Sequence, residues 1–132
     1  MSRSEYTEDG ENWEMIKWRG QVASAIRGKR GQALLRELLE ALDAMAEKRL
    51  IAGALIDRCG GVCALGALGR KRGVELEKLD PWDYDTLAGV FGVAHQLVRE
   101  IEFTNDDAGR SPEDRWKAMR YWVAAQIKPT SN

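Results

Sequence analysis

Apolar residues recur at helical spacing along most of this chain. From Glu11 to Ile26 they return every three or four positions, and from Gln32 to Met45 they form one broad stripe with charged residues opposite. This spacing predicts two amphipathic helices, separated by a short loop at Gly28–Gly31. The stripe of the second helix is the clearest in the sequence and consists of Leu34, Leu35, Leu38, Leu39 and Leu42.

The apolar pattern changes after the second helix. Two short apolar runs flank Gly60-Gly61, and a glycine pair supplies the positive φ that tight turns need. We therefore expect a small β-hairpin of Leu50–Asp57 against Gly61–Cys63. Because two strands alone are marginally stable, the hairpin is expected to lie against helices. Ala64–Arg72 is expected to form a short helix that ends at Gly73.

Helical spacing returns in the last third of the chain. Asp83 is placed to cap a helix whose apolar positions continue to about Phe103, with Gly89 and Gly92 as points of division. Thr104–Gly109 is predicted to be a loop. Ser111 followed by proline and two acids is typical of a helix start. The buried face of this last helix is predicted to be Trp116, Met119, Trp122, Val123 and Ile127.

These elements predict a mainly α fold, a compact helical domain of about five helices with one small β-hairpin. The domain is expected to span residues 11–128, after a polar and flexible N-terminal segment of residues 1–10. With 44% hydrophobic and 31% charged residues, the composition is that of a folded globular domain and not of a disordered chain.

Charge and residue counts exclude several classes of protein. Twenty basic and 21 acidic residues give a net charge of −1, so nucleic-acid binding would have to come from a local patch. Two cysteines and one histidine are too few for a tetrahedral zinc site, and we expect no metal and no cofactor. The apolar runs are too short for a membrane span. The start does not resemble a signal peptide, so the cytoplasm of a host cell is the expected compartment.

Parts of the sequence resemble known groups of proteins. Residues 16–55, IKWRGQVASAIRGKRGQALLRELLEALDAMAEKRLIAGAL, resemble small uncharacterised proteins of phages and prophages of proteobacteria, over about residues 13–127. Residues 53–68 and 102–114, GALIDRCGGVCALGAL and EFTNDDAGRSPED, are more distantly similar to small actinobacterial proteins of unknown function. The resemblance implies a helical fold with a hairpin and a phage setting, without an activity.

Two groups of residues are candidates for contact with a partner. Glycine-punctuated basic segments at 27–30 and 70–72 are predicted to form the most positive surface, since the acids lie mainly elsewhere. Trp13 and Trp82 are less explained by burial than the other tryptophans, and exposed tryptophan is enriched at protein interfaces. The members of the basic group are Arg27, Lys29, Arg30, Arg70, Lys71 and Arg72.

The remaining candidates have a chemical and a structural interpretation. Asn105 and Asp106 could hold a cation or orient a substrate, but such residues more often bond the backbone and fix a turn. Cys63 at a helix start, with His95 and Asp106 or Asn105, could form a cysteine-dependent active site. Cysteine among apolar neighbours is more often a buried hydrophobe, so no residue is assigned as catalytic.

The function favoured by the sequence is that of a non-enzymatic phage or prophage accessory protein that binds a host or phage macromolecule. A protein partner is preferred, and inhibition of a bacterial defence system is one concrete form. The first alternative is a nucleic-acid-binding protein that uses the basic segments. The second is a cysteine-dependent hydrolase. Self-association is left open.

Overall fold

The computed structural model describes the backbone of residues 9–129 and the side chains of residues 13–129. The chain forms six α-helices over this range, one more than the sequence predicted, and a short 3-10 helix at Leu76–Lys78. The helices are α1 (Asp9–Arg27), α2 (Lys29–Ala44), α3 (Ala64–Arg72), α4 (Tyr84–Phe91), α5 (His95–Asp107) and α6 (Pro112–Gln126). The predicted flexible segment lies outside the described residues, except for Asp9 and Gly10, which begin α1.

A single residue separates α1 from α2. Gly28 has extended backbone angles and precedes the first turn of α2, to which Lys29 and Arg30 belong. The prediction that both basic residues lie in a loop is therefore wrong, because one extended residue is enough to end the first helix. The two helices cross closely at Gly31, where a β-carbon would collide with the carbonyl oxygen of Ala25.

The core is built around α2, which packs against both α3 and α6. Leu35, Leu38 and Leu42 are completely buried, as the leucine stripe predicted. From α6, Met119 and Val123 reach the same core. The other predicted core residues of this last segment are only partly buried at its margin: Trp116, Trp122 and Ile127.

The segment between α2 and α3 contains no β-strand, so the predicted hairpin of Leu50–Asp57 against Gly61–Cys63 is wrong. One isolated antiparallel bridge joins Ile56 to Val62. The turn between them is closed by Asp57, whose Oδ1 accepts the amide of Gly61 at 2.7 Å. The glycine pair thus forms a turn, but the flanking runs do not continue as a ladder.

Three scattered backbone hydrogen bonds cross the turn between residues 51–57 and 61–63, and contacts with helices supply further bonds in place of a regular ladder. The amide of Leu50 donates to the carbonyl of Pro112 at 3.0 Å. The carbonyl of Ile51 accepts the Asn105 side-chain amide at 2.9 Å. Since buried backbone groups need hydrogen-bond partners of some kind, these bonds satisfy groups that a second strand would otherwise pair.

Gly92 divides the apolar stretch of the last third into α4 and α5. Its φ of 73° is in the left-handed region that favours glycine, and it ends α4. α5 then continues to Asp107, so the predicted loop at Thr104–Gly109 is wrong for its first four residues. Helix persists there because Asn105 is fully buried and bonded to the α2–α3 segment, which outweighs its weak intrinsic helix preference.

The start of α6 confirms the prediction from the Ser-Pro-Glu-Asp sequence. Ser111 has extended backbone angles, and its Oγ accepts the amide of Asp114 at 3.1 Å. Pro112 occupies the first helical position, where the absence of an N–H costs nothing. None of the helices in residues 9–129 combines the length and apolar character needed to cross a membrane.

Candidate functional site

From Met15 onward, α1 and the first turn of α2 contain basic residues and no acidic one, and an acid from another helix, Glu100, lines a groove with Arg19 and Arg27. Between Met15 and Arg36 the chain has six basic residues and no acidic one. Five of them have exposed side chains, and we call these five the α1–α2 basic face. Its members are Lys17, Arg19, Arg27, Lys29 and Arg30. None of them takes part in an ion pair within residues 13–129.

The cations of the second predicted basic segment, residues 70–72, have hydrogen-bond or ion-pair partners within the fold. Arg72 forms a two-pronged hydrogen bond with Glu37, at 2.8 and 2.7 Å. This carboxylate contact raises the pKa of Arg72, and the same bond lowers the pKa of Glu37. Lys71 lies 3.7 Å from Glu40, and Arg70 donates to the carbonyl of Gly60 at 2.7 Å. Two of the three positive charges in this segment are therefore paired with a carboxylate, and Arg70 is held by a backbone carbonyl.

The two basic segments are also separated along α2. Arg72 packs beside Glu37, in the middle of α2, whereas Arg30 lies in its first turn. Seven residues of α-helix correspond to about 10 Å of axis. The structure therefore places the free positive charge of the predicted site around 27–30.

A groove of about 440 Å³ opens where α1, α2 and α5 meet. Lys29 and Arg30 contribute its charged groups, and no acidic residue lines it. Gln96 Nε2 donates to Gln21 Oε1 at 3.3 Å, which ties α5 to α1 at this groove. The remaining lining residues have a small side chain or none: Ser24, Ala25, Gly28 and Ala94.

A second groove, of about 380 Å³, lies beside the Gly60-Gly61 turn. Its walls carry both signs of charge, with Arg49 and Arg70 opposed by Glu47 and Asp57. Arg49 is moreover 3.1 Å from Glu113. Because its cations already have anionic or carbonyl partners, this groove offers a charged ligand less than the first one does.

Trp13 and Trp82 are exposed, with 61% and 59% of their surface accessible. Trp13 lies on α1 one residue before Glu14, and Trp82 lies in the turn that precedes α4. Neither residue lines the groove at the start of α2. They are available for contact with a partner, but they are not part of the basic site.

Asn105 and Asp106 lie within α5 and not in a loop, which corrects the prediction of a loop site. Asn105 Oδ1 accepts the amide of Ala64 at 3.0 Å. Asp106 Oδ1 accepts the amide of Gly53 at 3.0 Å. Both side chains thus bond to the backbone between α2 and α3 and hold it in place. Bonding to the backbone is what the structural interpretation of these two residues predicted. The described residues contain no cluster of three His, Cys, Asp or Glu side chains able to hold a metal ion.

Cys63 caps α3 from inside the core. Its Sγ accepts the amide of Gly66 at 3.3 Å and its thiol donates to Glu102 Oε1 at 3.5 Å. Burial, reinforced by the Glu102 carboxyl, raises the pKa of this thiol well above its usual range. His95 begins α5 ten residues before Asn105, about 15 Å along the axis. The proposed Cys-His-Asn grouping therefore does not assemble around a reactive thiolate.

Sequence reasoning missed several residues of this site. Lys17 and Arg19 were overlooked, although the run of six cations without an acid is visible in the sequence. Ala94 and Gln96 were not predictable, because only the packing of α5 against α1 brings them to the start of α2. Outside this site, the buried carboxyl of Glu102 was not predicted either, because it lies on a predicted helix without a motif that distinguishes it.

Residues 9–129 form a domain of six α-helices, with a groove at the start of α2 that is lined by cations and by no acid. No protein-family model, curated protein or solved structure matches this chain.

Proposed function

We propose that this protein is a non-catalytic binding protein, and that it holds an acidic macromolecule of a host cell or a phage on the α1–α2 basic face. The observation that carries the proposal is the groove that Lys29 and Arg30 line without an acidic residue, within a run from Met15 to Arg36 that has six cations and no acid in its sequence. Arg19 and Arg27, at the edge of this face, share a neighbouring groove with Glu100. Uncompensated positive charge steers acidic partners even when the net charge of a protein is near zero.

Two further features support binding in preference to catalysis. The thiol of Cys63 is buried and bonded to Glu102, which gives no support to the cysteine-dependent hydrolase. The groove beside Lys29 holds cations and neutral donors, without a carboxylate or histidine to act as a base. In the phage setting that the sequence resembles, inhibition of a bacterial defence system is one form this binding would take.

Charge reversal on the basic face tests the proposal. We expect the wild-type chain to bind immobilised heparin, a general polyanion, and the double variant Lys29→Glu/Arg30→Glu to elute at clearly lower salt. The physical reason is that exposed charges act over about 10 Å at 0.1 M salt, so local reversal removes the local attraction.

The matched control reverses two exposed cations elsewhere, Arg110→Glu and Lys117→Glu, with the same change in net charge. This control is expected to elute near the wild type. Failure of the wild type to bind heparin, or equal losses in both double variants, would contradict the proposal. Circular dichroism melting of each variant separates lost binding from lost folding.

The exposed Trp13 and Trp82 favour a second candidate, a protein-binding surface away from the basic face. Under this alternative, Trp13→Ala/Trp82→Ala abolishes partner binding while Lys29→Glu/Arg30→Glu leaves it intact. The two candidates therefore predict opposite outcomes for the same pair of variants.

A further inference from the structure

We infer that the groove formed by the end of α1 and the starts of α2 and α5 binds the phosphate backbone of a nucleic acid. This inference rests on the proposed function and names the partner class for that same surface. The groove holds about 440 Å³, and its lining includes Gln21, Ser24, Gly28, Lys29, Arg30 and Gln96, with no acidic residue.

The side chains around this groove are those that phosphate contacts use. Arginine and lysine provide the charged donors, and glutamine amides and a serine hydroxyl provide neutral ones. Lys29 and Arg30 both lie in the groove and are exposed, with no ion-pair partner in residues 13–129. A phosphate accepts hydrogen bonds from several directions, which suits donors that come from three helices.

The two helices that begin at the groove add to its positive potential. No side chain caps α2 or α5, and neither has an acidic residue in its first turn. The other three helices whose starts are described with a cap, α3, α4 and α6, are capped by Cys63, Asp83 and Ser111. Cations at the start of α2 are intrinsically unfavourable, and a bound anion would offset that cost.

The basic surface continues from the groove along α1. Lys17, Gly20, Ser24 and Arg27 follow one another at spacings of three and four, and all are exposed. Ten residues of helix span about 15 Å between Lys17 and Arg27. One strand of duplex DNA carries a phosphate about every 3.4 Å of axis, so this row faces several phosphates. An added β-carbon at Gly20 would have open space around it, so a backbone can approach closely.

An acidic protein is the less favoured partner. Protein interfaces depend on aromatic or large aliphatic anchors at their centre. The groove is lined by no such residue, because its only apolar side chains are Ala25 and Ala94. The exposed apolar residues of α1, Trp13 and Ile16, lie on either side of Glu14, away from the basic residues of α2.

The test compares a fluorescein-labelled 20-nucleotide probe with a labelled poly-glutamate peptide of equal charge, by anisotropy over a range of salt. DNA and RNA, single- and double-stranded, are separate arms that identify which nucleic acid is bound. We expect the full-length chain to prefer at least one nucleic acid. Lys29→Glu/Arg30→Glu should lower that affinity on the order of tenfold and reduce the salt slope by about 1.8 for a duplex.

A second variant tests the groove without removing a cation. Ala94→Asp adds a side-chain acceptor at the start of α5, where aspartate is a preferred cap, and places a carboxylate in the groove. It should therefore melt no lower than the wild type and still bind nucleic acid several-fold more weakly. Arg110→Glu/Lys117→Glu should bind within about twofold of the wild type.

The outcomes separate this inference from the proposed function. Equal or tighter binding of poly-glutamate, with heparin binding retained, overturns the nucleic-acid assignment and leaves an acidic protein as the partner. Normal nucleic-acid binding by Ala94→Asp overturns the groove as the site. If the wild type binds neither heparin nor any of the labelled probes, both the nucleic-acid assignment and the proposed function are overturned.

Discussion

A carboxyl group and a thiol share the interior of this protein. Glu102 has only 4% of its surface exposed, and its polar partner in the core is the thiol of Cys63. Burial, followed by the nearby Asp106 carboxylate, raises the pKa of Glu102 to about 7. Asp106 itself is engaged with the amide of Gly53, so the carboxyl pair lies where α5 holds the α2–α3 segment.

This raised pKa makes stability depend on pH in a definite direction. Below pH 4.5 Glu102 is protonated in both the folded and the unfolded chain. As the pH rises towards 7 the unfolded chain releases this proton and the folded chain keeps it, so the free energy of unfolding falls. Above about pH 7 both states are ionised and the loss stays constant. The loss in the free energy of unfolding has an upper limit of about 3 kcal/mol.

Glu102→Gln tests this effect, since glutamine has the same shape and no charge. The variant is expected to melt higher than the wild type at pH 8 and to lose that advantage at pH 5, as measured by circular dichroism melting. Glu100→Gln, on the same helix and partly exposed, serves as the control and is expected to change the melting temperature little. A wild-type advantage at pH 8 would show that the ionised carboxylate is stabilised in the fold.

At the level of elements, the helices differ in how their starts are satisfied. α3 uses a buried sulfur, α4 an aspartate and α6 a serine, each accepting an amide of the first turn. α2 and α5 have no side-chain cap, and both begin at the groove proposed to bind phosphate. The helix starts thus differ in whether a side chain satisfies a first-turn amide, and the two without such a cap are the two at the groove.

Removal of the α6 cap has a measurable cost. Ser111→Ala loses the bond from the amide of Asp114 and should lower the free energy of unfolding by about 0.5–2 kcal/mol in urea titration. Ser111→Asp keeps an acceptor at the same position and should retain most of the stability. Equal effects of the two substitutions would mean that the hydroxyl does not act as a cap.

For the whole molecule, the core and the proposed binding surface use different faces of α2. Its apolar stripe packs against α3 and α6, while its first turn is exposed beside α1 and α5. Glu37 and Glu40, on the polar side, neutralise cations of α3. Two cations of segment 70–72 are therefore paired with acids of α2, whereas Lys29 and Arg30 have no ion-pair partner in residues 13–129.

Leu38→Ala tests the core. Leu38 is completely buried, and truncation of a buried leucine leaves a cavity that costs roughly 2–5 kcal/mol. Chemical denaturation should show this loss, whereas Ala33→Ser, at an exposed position of the same helix, should change stability little. A loss below about 0.5 kcal/mol would contradict the central place of α2 in the core.

The sequence by itself determined the features that depend on neighbours along the chain. The leucine stripe of α2, the end of α3 at Gly73 and the Ser111 start of α6 all follow from helical periodicity or from bonds within one turn. Arg27, Lys29 and Arg30 were likewise recognisable as a basic segment, since charge is read directly from residue type.

Tertiary structure alone decided the features that depend on residues distant in sequence. The segment 50–57 forms no regular strand because α6 accepts the amide of Leu50 and α5 donates to the carbonyl of Ile51, so that only three scattered backbone bonds cross the turn to residues 61–63, and Asn105 is helical because it is one of those partners. Glu37 neutralises Arg72 because α2 and α3 pack together. Gln96 reaches the groove because α5 packs on α1. Such contacts depend on how the helices fold back on one another, which local periodicity does not specify.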